Sequence, residues 1–251
     1  MFLTKDDLKL AYGIDIQIAK QFVDREVPPG NLYWENRRIY LPGSPGYIFM
    51  PLFFDILVRC GADKGLILSE KFFLLSESIL NSAANLEHKK INWLTHVDEV
   101  CSIIKPHVKR EELYHSLKEY LGSSPLLKVN NSRFGTAYPS LNRADTYLLL
   151  ISCIPPGNFN EDKAIKGWYS LMTYFLILDD LADIKEDLKS GEENVLVESG
   201  LNTEGLKIIS TMIDDSYNEM LLINPVMANR IDHKREVMDL RELLRSIISS
   251  Y

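Results

Sequence analysis

Cysteine is scarce and badly placed for cross-linking: Cys60, Cys101 and Cys153 are far apart, odd in number and form no CxxC pair. Neither a disulfide framework nor a thiolate zinc site is indicated, so a reducing cytoplasm is the expected compartment. Long apolar runs are also missing. Ile48 to Phe54 ends at Asp55, and Tyr147 to Pro156 is broken by a double proline. Both fall short of the roughly 18 apolar residues that span a bilayer. Met1 to Leu10 carries early Lys and Asp residues where a signal peptide would carry an apolar core. A soluble protein without a transmembrane segment is therefore expected. Positive charge is in deficit, with 28 Lys+Arg against 35 Asp+Glu and a net charge of −7. That balance argues against a nucleic-acid partner, whose phosphates must be neutralised. It leaves room for a phosphorylated small substrate, because a local metal inverts the field. There is no fixed-period repeat, low-complexity tract, GxSxG, P-loop, GxGxxG or HExxH. His88, His96, His107, His115 and His233 show no i, i+4 pairing and read as structural or solvent-facing, and Cys153 reads as core.

What the chain does have is helical periodicity. Its 251 residues, 46% hydrophobic and 25% charged, suit a globular protein that needs no covalent staple. Thr4-Lys5-Asp6-Asp7 reads as an N-cap opening a helix through about Arg25, stopped by Val27-Pro28-Pro29-Gly30. Residues 28–47 look irregular, a lid or linker candidate, with Asn36 to Tyr40 able to form a short strand. Apolar residues then recur with helical spacing from Tyr47, over 66–87, Trp93 to Ile104 and Glu111 to Leu121. Leu126 to Pro139 reads as loop. Further helices are predicted over Ser140 to Ile154, Lys163 to Lys189 (capped by Asn160-Glu161-Asp162 and ended by Ser190-Gly191), Thr203 to Leu222, and from Met227 or Asp232 onward. Seven to nine helices with hardly any strand pattern imply one all-α domain over 1–251, a single large helical bundle.

One helix carries chemistry. Trp168, Tyr169, Leu171, Met172, Tyr174, Phe175, Leu176, Ile177 and Leu178 make it apolar all round, the mark of a helix at the centre of a bundle. The run then gives way to Asp179 and Asp180. Asp179, Asp183, Glu186 and Asp187 are linked by i+3 and i+4 steps and share a face; Asp180 lies about 100° round. Like charges at this spacing repel, and Lys185 and Lys189 offset only part of that. These acids also lie well past the helix start, where the macrodipole would favour them. A solvated acidic helix end is the bland reading. An oxygen-preferring cation such as Mg²⁺, bound by one or two carboxylates and substrate phosphates, is the sharper one.

Phe175-Leu176-Ile177-Leu178-Asp179-Asp180-Leu181-Ala182-Asp183-Ile184-Lys185-Glu186-Asp187 resembles the second aspartate-rich motif of class I isoprenoid synthases, the trans-prenyltransferases and squalene/phytoene synthases. Leu188 to Asn194 is similar to the stretch that follows in the phytoene-synthase branch. Upstream, Arg143 and Thr146 lie where prenyltransferases carry a basic residue and a threonine. The resemblance implies an all-α bundle around a deep apolar pocket. In it Asp179, Asp180 and Asp183 bind Mg²⁺ and serve catalysis, Glu186 and Asp187 assist, and Arg143 and Lys189 contact the diphosphate of a prenyl substrate. The implied reaction is ionisation of the diphosphate followed by condensation or cyclisation, with metals stabilising the leaving group. It is also compatible with a homodimer or with a prenyltransferase partner subunit.

The family's first acidic motif should lie on a facing helix, well over a hundred residues upstream. Residues 40 to 65 supply isolated Asp55 and Asp63, eight apart, and no DDxxD or DxxxD pair; Glu70, Glu77 and Glu87 are later and too widely spaced. Arg37-Arg38 could meet a diphosphate or simply be solvated. Trp168 to Asp183 is also similar to the first motif of terpene cyclases. In that alignment Asp214-Asp215-Ser216-Tyr217-Asn218-Glu219 lies too close to be the downstream metal motif and reads as a polar helix face. Three readings follow: an Mg²⁺-dependent isoprenoid synthase, a non-catalytic relative acting as partner subunit, and an unrelated helical protein with an acidic surface.

Overall fold

A computed structural model describes residues 4–26, 28–33, 48–122 and 133–237, with side chains to residue 233. The strand suggested at 36–40 and the Arg37-Arg38 pair lie outside these residues, as do most of the 28–47 segment and the first half of the 126–139 loop. The described residues contain helices and no strands. In order they are α1 (Lys5–Tyr12), α2 (Ile16–Asp24), α3 (Phe49–Arg59), α4 (Lys64–Ile67), α5 (Glu70–Glu87), α6 (Trp93–Ile104), α7 (Glu111–Gly122), α8 (Glu161–Ser190), α9 (Val195–Glu198), α10 (Thr203–Leu221) and α11 (Pro225–Val237). None is long and apolar enough to cross a membrane.

The helix starts follow local chemistry. Thr4 and Asp7 form a reciprocal capping box at α1. Asn92 caps α6 through the Thr95 N–H, and Asn160 caps α8 through the Lys163 N–H. Gly191, with φ 72°, closes α8 in the left-handed conformation that glycine adopts without penalty. The expected helix from Thr4 to Arg25 is in fact two. Gly13, at φ 68°, ends α1, and the Asp15 carboxylate caps α2 by accepting from the Gln17 and Ile18 N–H groups. The expected 66–87 helix is likewise divided, because Ser69 caps α5 through Phe72 N–H and leaves α4 as a separate turn.

The predicted Ser140–Ile154 helix also differs. It is two 3₁₀ segments, Pro139–Asn142 and Asp145–Cys153. All nine residues of the second are buried, since it threads between α5, α6 and α7. Runs of 3₁₀ this long are uncommon, and apolarity on every side gives a sequence pattern that cannot separate them from a buried α-helix.

The 30-residue α8 is the spine, packed against α3, α9 and α10. Its all-round apolar stretch is buried as expected, with Trp168, Leu171 and Ile177 at 0% exposure. Trp168 joins Phe53 (ring centroids 4.8 Å apart), Phe49 (5.9 Å) and Tyr147 (5.6 Å) in one cluster linking α3, the 145–153 segment and α8. The Phe49 and Phe53 rings meet Trp168 edge-on, and pairs of that kind add about 0.5–1.5 kcal/mol each beyond simple burial. Phe22, Phe54, Phe72 and Phe73 form a second ring cluster between α2, α3 and α5.

Candidate functional site

The C-terminal half of α8 brings Asp179 and Asp180 to the 139–143 segment and to α9. Asp180 is buried at 3% exposure, and both of its carboxylate oxygens are engaged. Oδ1 accepts from Arg143 Nη2 at 2.9 Å, and Oδ2 accepts from the Val195 N–H at 2.6 Å. The same Arg143 nitrogen donates to Asp179 Oδ2 at 3.0 Å, while Nη1 donates to Ser140 O at 2.9 Å. Asn194 Nδ2 donates to the Asp180 carbonyl and to Asp187 Oδ2, both at 2.8 Å. Glu198 completes the arrangement by accepting from Ser140 N–H and, at 2.8 Å, from Ser140 Oγ–H. Three chain segments are thus tied through one carboxylate, a latch that closes α9 over α8.

The electrostatics match a partly buried ion pair. Burial raises the Asp180 pKa above the ordinary carboxylate value, with Arg143 and the Val195 N–H pulling the other way. Arg143 is desolvated too, yet Asp180 and Asp179 hold its pKa above the ordinary guanidinium value. A pair like this adds little net stability, because desolvation offsets attraction, but removing one partner strands the other.

The remaining acids point elsewhere. Asp183 and Glu186 are exposed and make no ion pair among the described residues. Asp183 has its pKa raised by desolvation and then by Asp179, Asp187 and Glu186, so the outer face carries unneutralised charge. Lys189 is exposed on the last turn and pairs with none of them. Sequence spacing placed Asp179, Asp183, Glu186 and Asp187 on one face and Asp180 apart; the fold turns Asp180 inward and leaves Asp183 and Glu186 in solvent.

An Mg²⁺ site needs several carboxylate oxygens converging with free lone pairs. Here Asp180 and Asp187 direct oxygens at N–H donors, Asp179 directs one at Arg143, and Asp183 and Glu186 are exposed. Among the described residues no group of three or more His, Cys, Asp or Glu is placed to hold a metal ion. Around these carboxylates Ile177, Leu181, Ile184, Val195 and Leu196 are packed and buried. The two acids in the upstream window are structural. Asp55 is buried, accepting from the Asp15 N–H at 2.9 Å and from Arg59 Nε, and Asp63 caps α4.

Two further polar constellations are not apparent from local sequence, because their members are distant in the chain. The buried Asp145 carboxylate accepts from Tyr120 Oη–H at 2.7 Å, Tyr169 Oη–H at 2.9 Å and Trp168 Nε1–H at 2.9 Å. Burial raises its pKa to about 6, against the three donors that lower it. His96 sits between Ser82 Oγ (2.9 Å from Nδ1) and Thr146 Oγ1 (3.0 Å from Nε2), and Ser82 donates to Glu99 Oε2 at 2.5 Å. Burial pushes His96 down to about 4, with Glu99 acting in the opposite sense. A cavity of about 700 Å³ opens beside Ser82 and Glu99; another, of about 620 Å³, lies between α8 and α10. Asp215, Ser216 and Glu219 line the second.

No family model matches the chain, and no curated protein or solved structure matches it either.

Proposed function

We propose that this is an isoprenoid-synthase-like helical protein that works by binding, as a non-catalytic partner subunit, with its acidic motif serving as the structural latch between α8, α9 and the 139–143 segment. The observation that carries this reading is that both carboxylate oxygens of the buried Asp180 are spent on Arg143 and the Val195 N–H. A carboxylate satisfied in this way is costly to withdraw for any other ligand. The close-packed rings of Phe49, Phe53, Tyr147 and Trp168 also leave no hollow between α3, the 145–153 segment and α8 at this cluster, which supports the reading.

The test is incubation of the purified chain with C10 to C20 allylic diphosphates and Mg²⁺, with and without isopentenyl diphosphate. The expected result is no pyrophosphate or hydrocarbon product above the blank. Pyrophosphate release by wild type that Asp180→Asn abolishes would overturn the reading.

A second reading, the Mg²⁺-dependent synthase acting on a prenyl diphosphate, is favoured by one observation. Asp183 and Glu186 leave negative charge without a counter-ion among the described residues, and Asp183 is pushed toward protonation by burial and then by its acidic neighbours. On that reading Asp179, Asp180 and Asp183 would hold metal, with Glu186 and Asp187 assisting. Arg143 would leave the carboxylates for the diphosphate, joined by Lys189.

A further inference from the structure

The groove between α5, α6 and the 28–31 turn has a cavity volume of about 700 Å³, within the range of small-molecule sites. Ser78, Asn81 and Ser82 line it from α5, Thr95, Asp98, Glu99 and Ser102 from α6, with Pro28, Pro29 and Ile103 supplying aliphatic surface. Its hydroxyls share one polarity. Ser78 Oγ donates to Leu74 O at 2.7 Å, Ser102 Oγ to Asp98 O at 2.8 Å, Thr95 Oγ1 to Asn92 Oδ1 at 3.1 Å, and Ser82 Oγ to Glu99 Oε2 at 2.5 Å. Ser78, Thr95 and Ser102 thus spend their protons inside the protein and keep lone pairs for the groove. Asn81, whose Oδ1 accepts from the Leu32 N–H at 2.9 Å, adds an amide donor.

The floor is built from buried groups. Ser82 is 3% exposed and His96 1% exposed. Because Ser82 donates to Glu99, it accepts from His96 Nδ1–H, and Nε2 then accepts from the Thr146 hydroxyl. The chain pins one oxygen of Glu99 and runs through an imidazole that burial keeps neutral at physiological pH. Asp98, beside Glu99, makes no hydrogen bond or ion pair through its carboxylate among the described residues. Among the described residues no Lys, Arg or His lines the groove.

We propose that this groove binds an aliphatic polyamine, its ammonium groups meeting Asp98, Glu99 and the hydroxyl lone pairs and its methylenes lying on Pro28, Pro29 and Ile103. Two carboxylates without a cation, on an acceptor-rich wall, call for a ligand that is both charged and rich in N–H donors. The aliphatic surface of Pro28, Pro29 and Ile103 in the same groove favours a cation that carries methylenes over a bare ion.

The test is calorimetric titration of the full chain with spermidine, using 1,8-octanediol as uncharged counterpart. Saturable one-site binding is expected for spermidine and none for the diol. Asp98→Asn and Glu99→Gln should each weaken it by about fivefold or more, the scale of one ion pair in a partly shielded groove. Glu99→Gln keeps an acceptor for Ser82, and Asp98 is exposed, so both variants should fold, which circular dichroism checks. The outer acids of α8 supply the control: Asp183→Asn with Glu186→Gln should leave the affinity unchanged. Four results would overturn the proposal: no saturable binding, binding indifferent to both groove variants, binding lost with the α8 pair instead, or equal displacement by millimolar Mg²⁺.

Discussion

Replacing Asp145 by Asn should change how stability depends on pH by a calculable amount. In the folded protein the carboxyl pKa rises from 3.8 to about 6, chiefly through burial. The folded state therefore holds a proton that the unfolded chain releases between those two values. Stability from this group is fully present below pH 3.8, falls as pH rises toward 6, and then levels off. The gap corresponds to a loss of about 3 kcal/mol. His96 acts in the opposite sense over nearly the same window, because burial lowers it from 6.5 to about 4. Its unfolded form binds the extra proton, so stability rises by about 3 kcal/mol from pH 4 to 6.5. In wild type the two slopes largely cancel. Asn at 145 retains an acceptor for Trp168 Nε1–H and can donate its amide hydrogens to the Tyr120 and Tyr169 oxygens, so it removes the titration while keeping the shape. Urea unfolding at pH 4, 5, 6 and 7 measures the effect. The stability of Asp145→Asn relative to wild type should rise by about 2–2.5 kcal/mol between pH 4 and pH 7, the part of the full change that falls in this range. A difference that stays constant across this range would refute the reasoning.

Other outcomes follow from the same contacts. His96→Asn should remove the complementary slope, so that wild type loses about 3 kcal/mol relative to the variant on acidification from pH 6.5 to 4, measured by the same unfolding series. Asp180→Asn must turn an N–H₂ group toward either Arg143 or the Val195 N–H; the unmatched donors should cost about 2–4 kcal/mol in denaturant unfolding. Gly205→Ala should destabilise by about 2 kcal/mol or more, because the added Cβ would lie 1.8 Å from the Gly200 carbonyl oxygen, a backbone atom with little room to move. A lower midpoint temperature with an unchanged far-ultraviolet spectrum would show it.

The helices easiest to read were those whose ends carry their own chemistry. Asn92 and Asn160 mark the starts of α6 and α8, and Gly191 marks the end of α8. Trp168 to Leu178 announced a central helix because no face of it is polar, and the fold buries it. The Gly13–Asp15 break was harder. Apolar spacing continues across it at Leu8, Ile14 and Ile18, all buried, so periodicity hides a turn that a glycine and a capping aspartate create. The 3₁₀ geometry of 145–153 left no trace, since burial on every side erases the pattern that distinguishes the two helix types. At the acidic site, the resemblance singled out both Arg143 and Asp179, and the two side chains meet at 3.0 Å. What faces the other oxygen of Asp180 was not legible, because the Val195 N–H arrives only when α9 folds back over α8. The Ser82–His96–Thr146 chain is hidden for the same reason, its three members belonging to α5, α6 and the 145–153 segment.

The latch account is tested most directly by the melting temperatures of wild type and Asp180→Asn, each with and without Mg²⁺ and a C20 allylic diphosphate. Wild type should melt at the same temperature in all conditions, and the variant should melt about 5–10 °C lower whether or not ligand is present. A wild type that ligand and metal stabilise, beside a variant that is equally stable without them and indifferent to their addition, would contradict it.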